Sequence, residues 1–171
     1  RIKINNIDIS DDDLQKYIFK IDMLAQKNNI HLTEFELLTA VMFDYFYKNN
    51  VDIAVVEVGL GGRFDATNCI KKPVLSIITS ISLDHTDRLG DTIEKIAFEK
   101  AGIIKPLIPI IIDNSNDGLK IIQKVAADNN APVINSKVCK THNDGINYDK
   151  TFYKLNLSGI YQEKNAGLVL S

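Results

Sequence analysis

The amino-acid sequence predicts an α/β protein with an open, mostly parallel β-sheet and helices on both faces. Two continuous apolar runs rich in β-branched residues, IAVVEVG and VLSIITSI, are typical of strands buried on both faces of a parallel sheet. Segments with helical spacing of apolar residues alternate with such runs along the chain. The 171 residues, 45% hydrophobic and 25% charged, suffice for one domain with a sizeable core.

Two helices are predicted before the first of these strands. The first is capped by Ser10 and stops at the asparagine pair 28–29. Thr33 and Glu36 form a capping box that begins the second helix, which ends near the asparagine pair 49–50. Each helix carries apolar residues three and four positions apart, so each is expected to bury one face.

The second half of the chain is predicted to continue the alternation. Asp91 is expected to cap a helix that ends near Lys100, and LIPIIID is expected to form a further strand. The remaining predicted elements are an amphipathic helix over 115–129, a short strand APVIN, a strand in FYKLNLSG and a final helix. The polar segment 141–150 is predicted to be a linker. We expect one incomplete domain, because the chain opens without methionine and its last residues resemble an unfinished helix.

Composition argues against several classes of partner. The net charge is -2, and lysine and arginine are scattered along the chain. The sequence therefore shows no basic patch of the kind that binds nucleic acid. No apolar run approaches bilayer length and no signal peptide is evident, so a cytoplasmic protein is expected. Cys69 and Cys139 lie far apart without a CxxC pair, which suggests neither a zinc site nor a disulfide framework.

Chemistry is expected where the predicted strands end, because ligands of open parallel sheets bind outside the carboxyl ends of the strands. This rule selects Glu57, with the loop GLGGRFDATN that follows it. It also selects the pair Asp84 and His85, with Asp87 and Arg88 just beyond. Carboxylate oxygens are good Mg²⁺ ligands, and Glu57 is therefore a candidate metal ligand.

Each of these signals has a structural alternative. The glycine-rich loop does not fit a dinucleotide fingerprint, because Phe64 stands where the last glycine is needed, and a tight turn without a ligand remains open. A salt bridge to Arg63 is the structural alternative for Glu57, since an acid buried at a strand end needs a partner. His85 alone is more often a surface or turn histidine, although its position beside Asp84 favours a functional role.

Three longer motifs point to a family. FELLTAVMFDYF, VDIAVVEVGLGGRFDATN and ITSISLDHTDRLGDTIEKIAFEKAGIIKP follow one another between residues 33 and 106. In this order they resemble the central ATPase domain of folylpolyglutamate synthase/dihydrofolate synthase, a relative of the Mur ligases and of P-loop NTPases. The segment LSGIYQEKNA resembles the GxxQxxNA segment of the same family. The resemblance implies a truncated form of that domain.

The resemblance also implies functional residues. Those implied to be catalytic are Glu57 and His85, each a ligand of one Mg²⁺ ion, and Lys100, a carbamylated lysine. Those implied to bind cofactor or substrate are Gln162 and Asn165 beside adenine, and Asp65 and Asn68 at the folate or phosphate cleft. Two alternatives stay open: Lys100 as a cation that meets the helix dipole, and Asn165 as an ordinary helix residue.

The implied activity is ATP-dependent and Mg²⁺-dependent ligation, in which a folate or dihydropteroate carboxylate is phosphorylated and then joined to the amine of L-glutamate. The implied parent is a monomeric enzyme of folate metabolism that binds neither nucleic acid nor membrane. A Mur-type amino-acid ligase and a non-catalytic nucleotide-binding module are the alternatives. No GxxxxGK[ST] phosphate-binding loop occurs in the 171 residues, and the C-terminal ligase domain is also missing, so the chain alone is expected to be inactive.

Overall fold

The computed structural model describes residues 2–137, 139–142, 145–155, 159 and 161–171. The chain divides into two compact units, Arg1–Gly59 and Leu60–Ser171. The α/β class predicted from the sequence is confirmed, since helices alternate with parallel strands in the second unit. The expectation of a single incomplete domain stays a prediction.

The first unit contains a short hairpin and two long helices. Strands β1 (Lys3–Ile4) and β2 (Ile7–Asp8) pair antiparallel, a hairpin that the sequence analysis did not predict. Helices α1 (Asp11–Lys27) and α2 (Glu34–Lys48) follow. Both helices and their ends agree with the prediction.

Side-chain caps begin both helices. The Ser10 hydroxyl accepts a hydrogen bond from the Asp13 backbone N–H at 3.1 Å. In α2 the Thr33 hydroxyl accepts from the Glu36 N–H at 3.3 Å, and the Glu36 carboxylate accepts from the Thr33 N–H at 2.8 Å. These bonds satisfy N–H groups that have no partner within the helix, which is why caps can be predicted from local sequence.

The segment IAVVEVG, residues 53–59, is not a β-strand, and the prediction of a buried strand there is wrong. Its apolar side chains are largely exposed, Ile53 at 81% and Val55 at 93%. A strand requires a hydrogen-bonded neighbour, and the two strands described in the first unit pair with each other. The apolar composition of this segment suits a β-strand. It does not specify the neighbouring strand with which the segment would have to pair.

The second unit is built on a parallel three-stranded sheet. Strands β3 (Ser76–Ile78), β4 (Ile110–Ile112) and β5 (Val133–Asn135) lie in the order β3-β4-β5 and confirm three predicted strands in shorter form. The three isoleucines of β4 are 0%, 4% and 0% exposed. Successive side chains of a strand point to opposite faces, so both faces of β4 are covered, as predicted for a parallel sheet.

Two helices pack on this sheet through apolar side chains. Helices α4 (Ile93–Lys100) and α5 (Leu119–Asp128) share one hydrophobic core with β3 and β4. Its fully buried members include Ile96, Ala97, Ile110, Ile112, Ile122 and Ala126. A short helix α3 (Thr86–Leu89), which the sequence analysis did not predict, precedes α4.

Two helix starts differ from the prediction. The N-cap of α4 is Thr92, whose hydroxyl accepts from the Lys95 N–H at 3.3 Å, and not Asp91. Asp91 instead accepts a hydrogen bond from the Lys95 ammonium at 2.8 Å. Helix α5 begins at Leu119 rather than near Ser115, because the intervening residues form turns.

The polar segment 141–150 is not a linker, contrary to the prediction. Strands β6 (Lys140–His142), β7 (Gly145–Tyr148) and β8 (Thr151–Lys154) form an antiparallel sheet, and residues 141–142 and 145–148 of the segment are strand residues of it. The turn between β7 and β8 places Asp149 and Lys150 at φ 44° and 64°, as in two-residue hairpins that need positive φ. Polar turn residues are common to linkers and hairpins, and composition does not separate the two.

The chain ends in helix α6 (Gln162–Val169), which confirms the predicted last helix. The predicted strand in FYKLNLSG is confirmed as far as Lys154, and its residues 156–158 lie outside the described part of the chain. Among the described residues, no helix combines the length and apolar character required to cross a bilayer.

Candidate active site

Glu57 lies in the first unit, in the extended segment that precedes the glycine-rich loop. Its side chain is exposed, so the argument that burial forces it to bind a cation does not hold. Among the described residues of its own unit, no hydrogen-bond or ion-pair partner engages its carboxylate. A role of Glu57 in metal binding stays a prediction.

His85 lies in the segment between β3 and α3, immediately before the first residue of α3. Its backbone is left-handed, with φ 50° and ψ 41°, and its N–H donates to the Asp84 carboxylate at 2.8 Å. The imidazole Nε2 lies 3.8 Å from the same carboxylate, and 57% of the side chain is exposed. A non-glycine residue in this region costs about 1–3 kcal/mol, and such strain concentrates at functional sites.

Lys100 is the last residue of α4 and is half-buried. Among the described residues, none hydrogen-bonds or ion-pairs with its ammonium group. Its place at a helix C-terminus suits a cation that interacts with the helix dipole. The carbamate and the helix-end cation therefore both remain compatible with its surroundings.

Asp65 organises the glycine-rich loop internally. It caps a short 3-10 helix, Ala66–Cys69, by accepting from the Thr67 N–H at 2.9 Å. Its second carboxylate oxygen accepts from the Leu60 N–H at 2.9 Å. The side chain thus closes the loop on itself, and its predicted contact with substrate or cofactor stays a prediction.

Asn68 joins the same loop to the turn that follows Lys100. Its amide nitrogen donates to the backbone oxygens of Arg63 at 2.9 Å and Gly102 at 3.1 Å. Its amide oxygen accepts from the Lys105 ammonium at 2.7 Å. The sequence analysis expected a residue that lines the folate or phosphate cleft, whereas here the side chain bonds within the protein.

Arg63 attaches the loop to the end of α4. Its guanidinium donates to the Phe98 backbone oxygen at 3.0 Å and stacks 3.9 Å from the centre of the Phe98 ring. Its Nε lies 3.7 Å from the Glu99 carboxylate. The guanidinium proposed as a structural partner of Glu57 is thus engaged by residues of α4.

Two glycines allow the loop and the helix end to approach closely. A Cβ added at Gly62, where φ is 153°, would lie 3.0 Å from the backbone oxygens of Glu99 and Lys100. A Cβ added at Gly102 would lie 2.4 Å from both Cα and Cβ of Arg63. Glycine is required here because the two backbones occupy the space of a side chain.

We expect Gly102→Ala to lower the free energy of unfolding by about 1–3 kcal/mol, the usual cost of overpacking. The added methyl group meets Arg63 backbone, which cannot rotate away as a side-chain end can. Urea denaturation followed by circular dichroism measures this change. If the urea midpoint and the slope of the transition were unchanged, the loop and the end of α4 would have to move apart at little cost, which would contradict this expectation.

Gln162 and Asn165 lie in the first turn of α6, three residues apart and on one face of the helix. Gln162 is half-buried and Asn165 is exposed. Their backbone N–H groups donate to Gly159 and Tyr161 at 3.1 and 3.0 Å, so the helix start is ordered by its own backbone. Side chains on a shared face suit a common ligand, and the predicted adenine contact stays a prediction.

Residues 12–169 match the family described as Mur ligase middle domain. This chain belongs to that family. The match spans both compact units and confirms the family resemblance that the motifs indicated. The exposed segment 53–59 and the loop beyond it are therefore parts of one family domain.

Relatives of this Mur ligase middle domain are folate enzymes. Folylpolyglutamate synthase of Arabidopsis thaliana is 38% identical over 177 residues, covering 100% of this chain and 27% of the relative. Dihydrofolate synthase/folylpolyglutamate synthase of Bacillus subtilis is 44% identical over 138 residues, covering 77% and 32%. A solved FPGS-AMPPCP-folate complex superposes with a TM-score of 0.80 at 32% identity, covering 93% of this chain and 42% of that chain. The chain thus spans about a third of the curated relatives' length.

The sequence analysis missed a polar cluster at the carboxyl end of β4 in this middle domain. Asp113 is 8% exposed and accepts hydrogen bonds from the Ser115 N–H at 2.9 Å and from the Ser115 hydroxyl. The Lys164 ammonium of α6 lies 3.6 Å from the same carboxylate. The adjacent buried Asn116 donates to the Thr79 oxygen, at the end of β3, at 2.8 Å. The available signal was an acid directly after the apolar run LIPIII.

Burial alone would raise the pKa of the Asp113 carboxyl. The hydrogen bonds from Ser115 and the charge of Lys164 outweigh burial, and they hold the pKa below its ordinary value. The folded state therefore binds this proton less readily than the unfolded chain does. Asp113 stabilises the fold above the unfolded pKa, and this contribution is lost as pH falls through the lowered folded pKa.

We expect Asp113→Asn to lower the free energy of unfolding by about 1–3 kcal/mol at neutral pH, because charged hydrogen bonds are replaced by weaker ones. The difference from wild type should shrink as the pH falls below the ordinary aspartate value, because there the unfolded wild-type chain binds a proton that the folded protein binds less readily. Urea titrations of both proteins at several pH values measure this difference. A difference that is constant across the acid range would contradict the lowered pKa.

The residues of the candidate site can be compared with the ligands that Mg²⁺ prefers. Among the described residues, no group of three or more histidine, cysteine, aspartate or glutamate side chains is placed to hold an ion. Mg²⁺ typically takes one or two carboxylates and completes its shell with phosphate oxygens and water. The exposed Glu57 carboxylate fits that pattern, whereas an imidazole such as that of His85 is a less typical Mg²⁺ ligand.

Proposed function

We propose that the protein containing this chain is an ATP-dependent ligase that joins a folate or dihydropteroate carboxylate to the amine of L-glutamate. The observation that carries the proposal is the 38% identity to a folylpolyglutamate synthase along the whole of this chain. The related complex with AMPPCP and folate supports a nucleotide and a folate as ligands. We place the enzyme in the cytoplasm as a monomer.

The proposed reaction has two steps. An oxygen of the acceptor carboxylate attacks the γ-phosphorus of ATP, which releases ADP and leaves an acyl phosphate. The glutamate amine then attacks the acyl carbon, loses a proton and expels phosphate, which forms the amide. Neither step requires a protein nucleophile, so the protein acts by positioning the reactants and by balancing charge.

We assign the residues of this chain different roles in this reaction. Glu57 is proposed to hold one Mg²⁺ ion through its carboxylate, and His85 would be a ligand of a second Mg²⁺ ion. Mg²⁺, when bound with ATP, neutralises negative charge on the phosphate oxygens. Lys100, at the end of α4, is proposed to become a carbamate: its neutral amine attacks CO2 and releases one proton. Gln162 and Asn165 are proposed to contact adenine from the first turn of α6.

The decisive experiment is a ligation assay of the complete protein with ATP, Mg²⁺ and glutamate. Dihydropteroate and tetrahydrofolate are compared as acceptors, and the amide product is detected by mass spectrometry. We expect product with one or both acceptors and one ADP released for each amide formed. A folded protein that binds ATP yet makes no amide with either acceptor would leave a Mur-type amino-acid ligase or a nucleotide-binding module as the better interpretation.

The 171-residue chain alone is expected to show no glutamate-dependent ATP hydrolysis. It contains no GxxxxGK[ST] loop to supply the backbone N–H groups and lysine that hold the β- and γ-phosphates. Phosphate release is measured with and without glutamate, and the complete protein serves as the positive control. Measurable glutamate-dependent turnover by a clean preparation of the short chain would contradict this expectation.

A further inference from the structure

Both N–H donors of the Asn68 amide are used within the protein. A carboxamide offers two N–H donors and one oxygen, and Asn68 uses both kinds within the protein. The nitrogen donates to Arg63 and Gly102, and the oxygen accepts from Lys105. Phosphate and carboxylate oxygens accept hydrogen bonds, so a contact between such an oxygen and the Asn68 amide nitrogen would require one of these two N–H bonds to break.

Lys105 is bound to the loop at two points. Its ammonium donates to the Asn68 amide oxygen at 2.7 Å and to the Asn68 backbone oxygen at 3.2 Å. Between Lys100 and Lys105 the backbone is anchored in the core by Ala101, 0% exposed, and Ile104, 5% exposed. The Lys105 side chain therefore ties the loop to a segment that is itself held in place.

The loop also supplies the donors that the end of α4 needs. The last carbonyl oxygens of a helix have no partner within the helix. The Arg63 N–H donates to the Glu99 oxygen at 2.9 Å, and the Arg63 guanidinium donates to the Phe98 oxygen at 3.0 Å. The loop thus helps to cap the C-terminus of the helix that carries Lys100, together with the Ala101 backbone N–H.

We infer that Asn68 and Lys105 are positioning residues, which clamp the loop 60–69 to the turn after α4 and so hold Lys100 in its working position. The inference rests on the proposed function, because it assigns Lys100 a role in ligation. In this inference Asn68 acts on catalysis indirectly, by positioning the loop, and does not contact folate or phosphate itself. It also gives Lys105 a role that no motif suggested, since the two residues lie 37 positions apart in sequence.

The test uses the complete ligase and the variants Lys105→Met, Asn68→Ala and the double variant. Lys124→Met, which replaces an exposed lysine of α5, is the matched control. For each protein we would measure kcat and the KM of ATP, folate acceptor and glutamate, at temperatures where circular dichroism shows the variant to be folded. Comparing the loss of kcat in the double variant with the losses in the two single variants gives the coupling energy between the two side chains.

We expect each single variant to lower kcat by about ten- to a hundred-fold with little change in KM, because small displacements of a catalytic group slow the reaction without weakening binding. The double variant should lose little more than the worse single variant, since both break one clamp. Lys124→Met should match wild type. If Asn68→Ala prevents folding, Asn68→Asp keeps the size and the acceptor for Lys105 but loses both donors, and it should also lower kcat.

Wild-type kcat in Lys105→Met or in Asn68→Asp would overturn the inference. A second result would also overturn the inference: a raised KM for one substrate in Asn68→Ala, together with a loss in the double variant equal to the product of the two single losses. That result would support a direct contact between Asn68 and the substrate. These outcomes are separate from failure of the proposed function, which would appear as absence of amide formation by the wild-type enzyme.

Discussion

Glu57→Gln in the complete ligase is expected to lower kcat by about two to three orders of magnitude, the usual effect of removing one well-placed electrostatic group. The change removes a negative charge from the proposed Mg²⁺ site and keeps the shape of the side chain. Because Glu57 is exposed, the free energy of unfolding should hardly change. Rates are measured at limiting and at saturating Mg²⁺, and stability by urea denaturation.

Glu34→Gln is a suitable control, because Glu34 is also an exposed acid of the first unit and has no proposed role in catalysis. It should leave kcat unchanged. The variant Glu57→Gln should also require more Mg²⁺ for half-maximal rate than wild type. Near-normal activity of Glu57→Gln at limiting Mg²⁺ would show that Glu57 is not a metal ligand.

Lys100 is the second position where a large effect is expected, and the two interpretations give its side chain opposite charges. As a carbamate it is an anion, and Lys100→Arg should then lose most activity, because arginine does not form this group. As a helix-end cation it should tolerate arginine, which also interacts favourably with the dipole. Truncation to alanine abolishes either role, so loss of activity alone decides nothing.

Chemical rescue separates the two interpretations. A small carboxylate such as acetate or formate can occupy the space vacated in Lys100→Ala and replace a missing anion, so the carbamate interpretation predicts partial recovery of kcat. The assays compare added carboxylate with chloride at matched ionic strength, and Lys95→Ala of the same helix is the control. An active arginine variant together with no rescue would contradict the carbamate.

The parts of the fold that the sequence predicted well are those set by local interactions. Ser10 and Thr33 were identified as caps because a hydroxyl and the N–H three residues later suffice to define a helix start. The run IAVVEVG was misassigned because a strand depends on a neighbour that local sequence does not name. The segment 141–150 was misassigned because the same polar turn residues serve linkers and hairpins.

In the candidate site, too, the features that depend on local sequence were predicted and those that depend on distant contacts were not. His85 was predicted to lie beyond β3 and Lys100 at the end of α4, and both positions follow from the order of the elements along the chain. The clamp between Asn68 and Lys105 was not predicted, because it joins distant positions through the precise approach of two backbones. The cluster around the buried Asp113 was not predicted, because an acid after an apolar run does not by itself identify the distant lysine, Lys164, that approaches it.

The two sheets of the second unit also differ in how they are expected to form. In the parallel sheet Ser76 pairs with Ile110 and Ile110 with Val133, so each pairing must first close a long loop. In the antiparallel sheet Tyr148 pairs with Thr151 across a tight turn. Folding rates fall as contacts become more distant in sequence, so the hairpin of β7 and β8 should form early. The parallel sheet, and with it the end of α4 that bears Lys100, should be completed last.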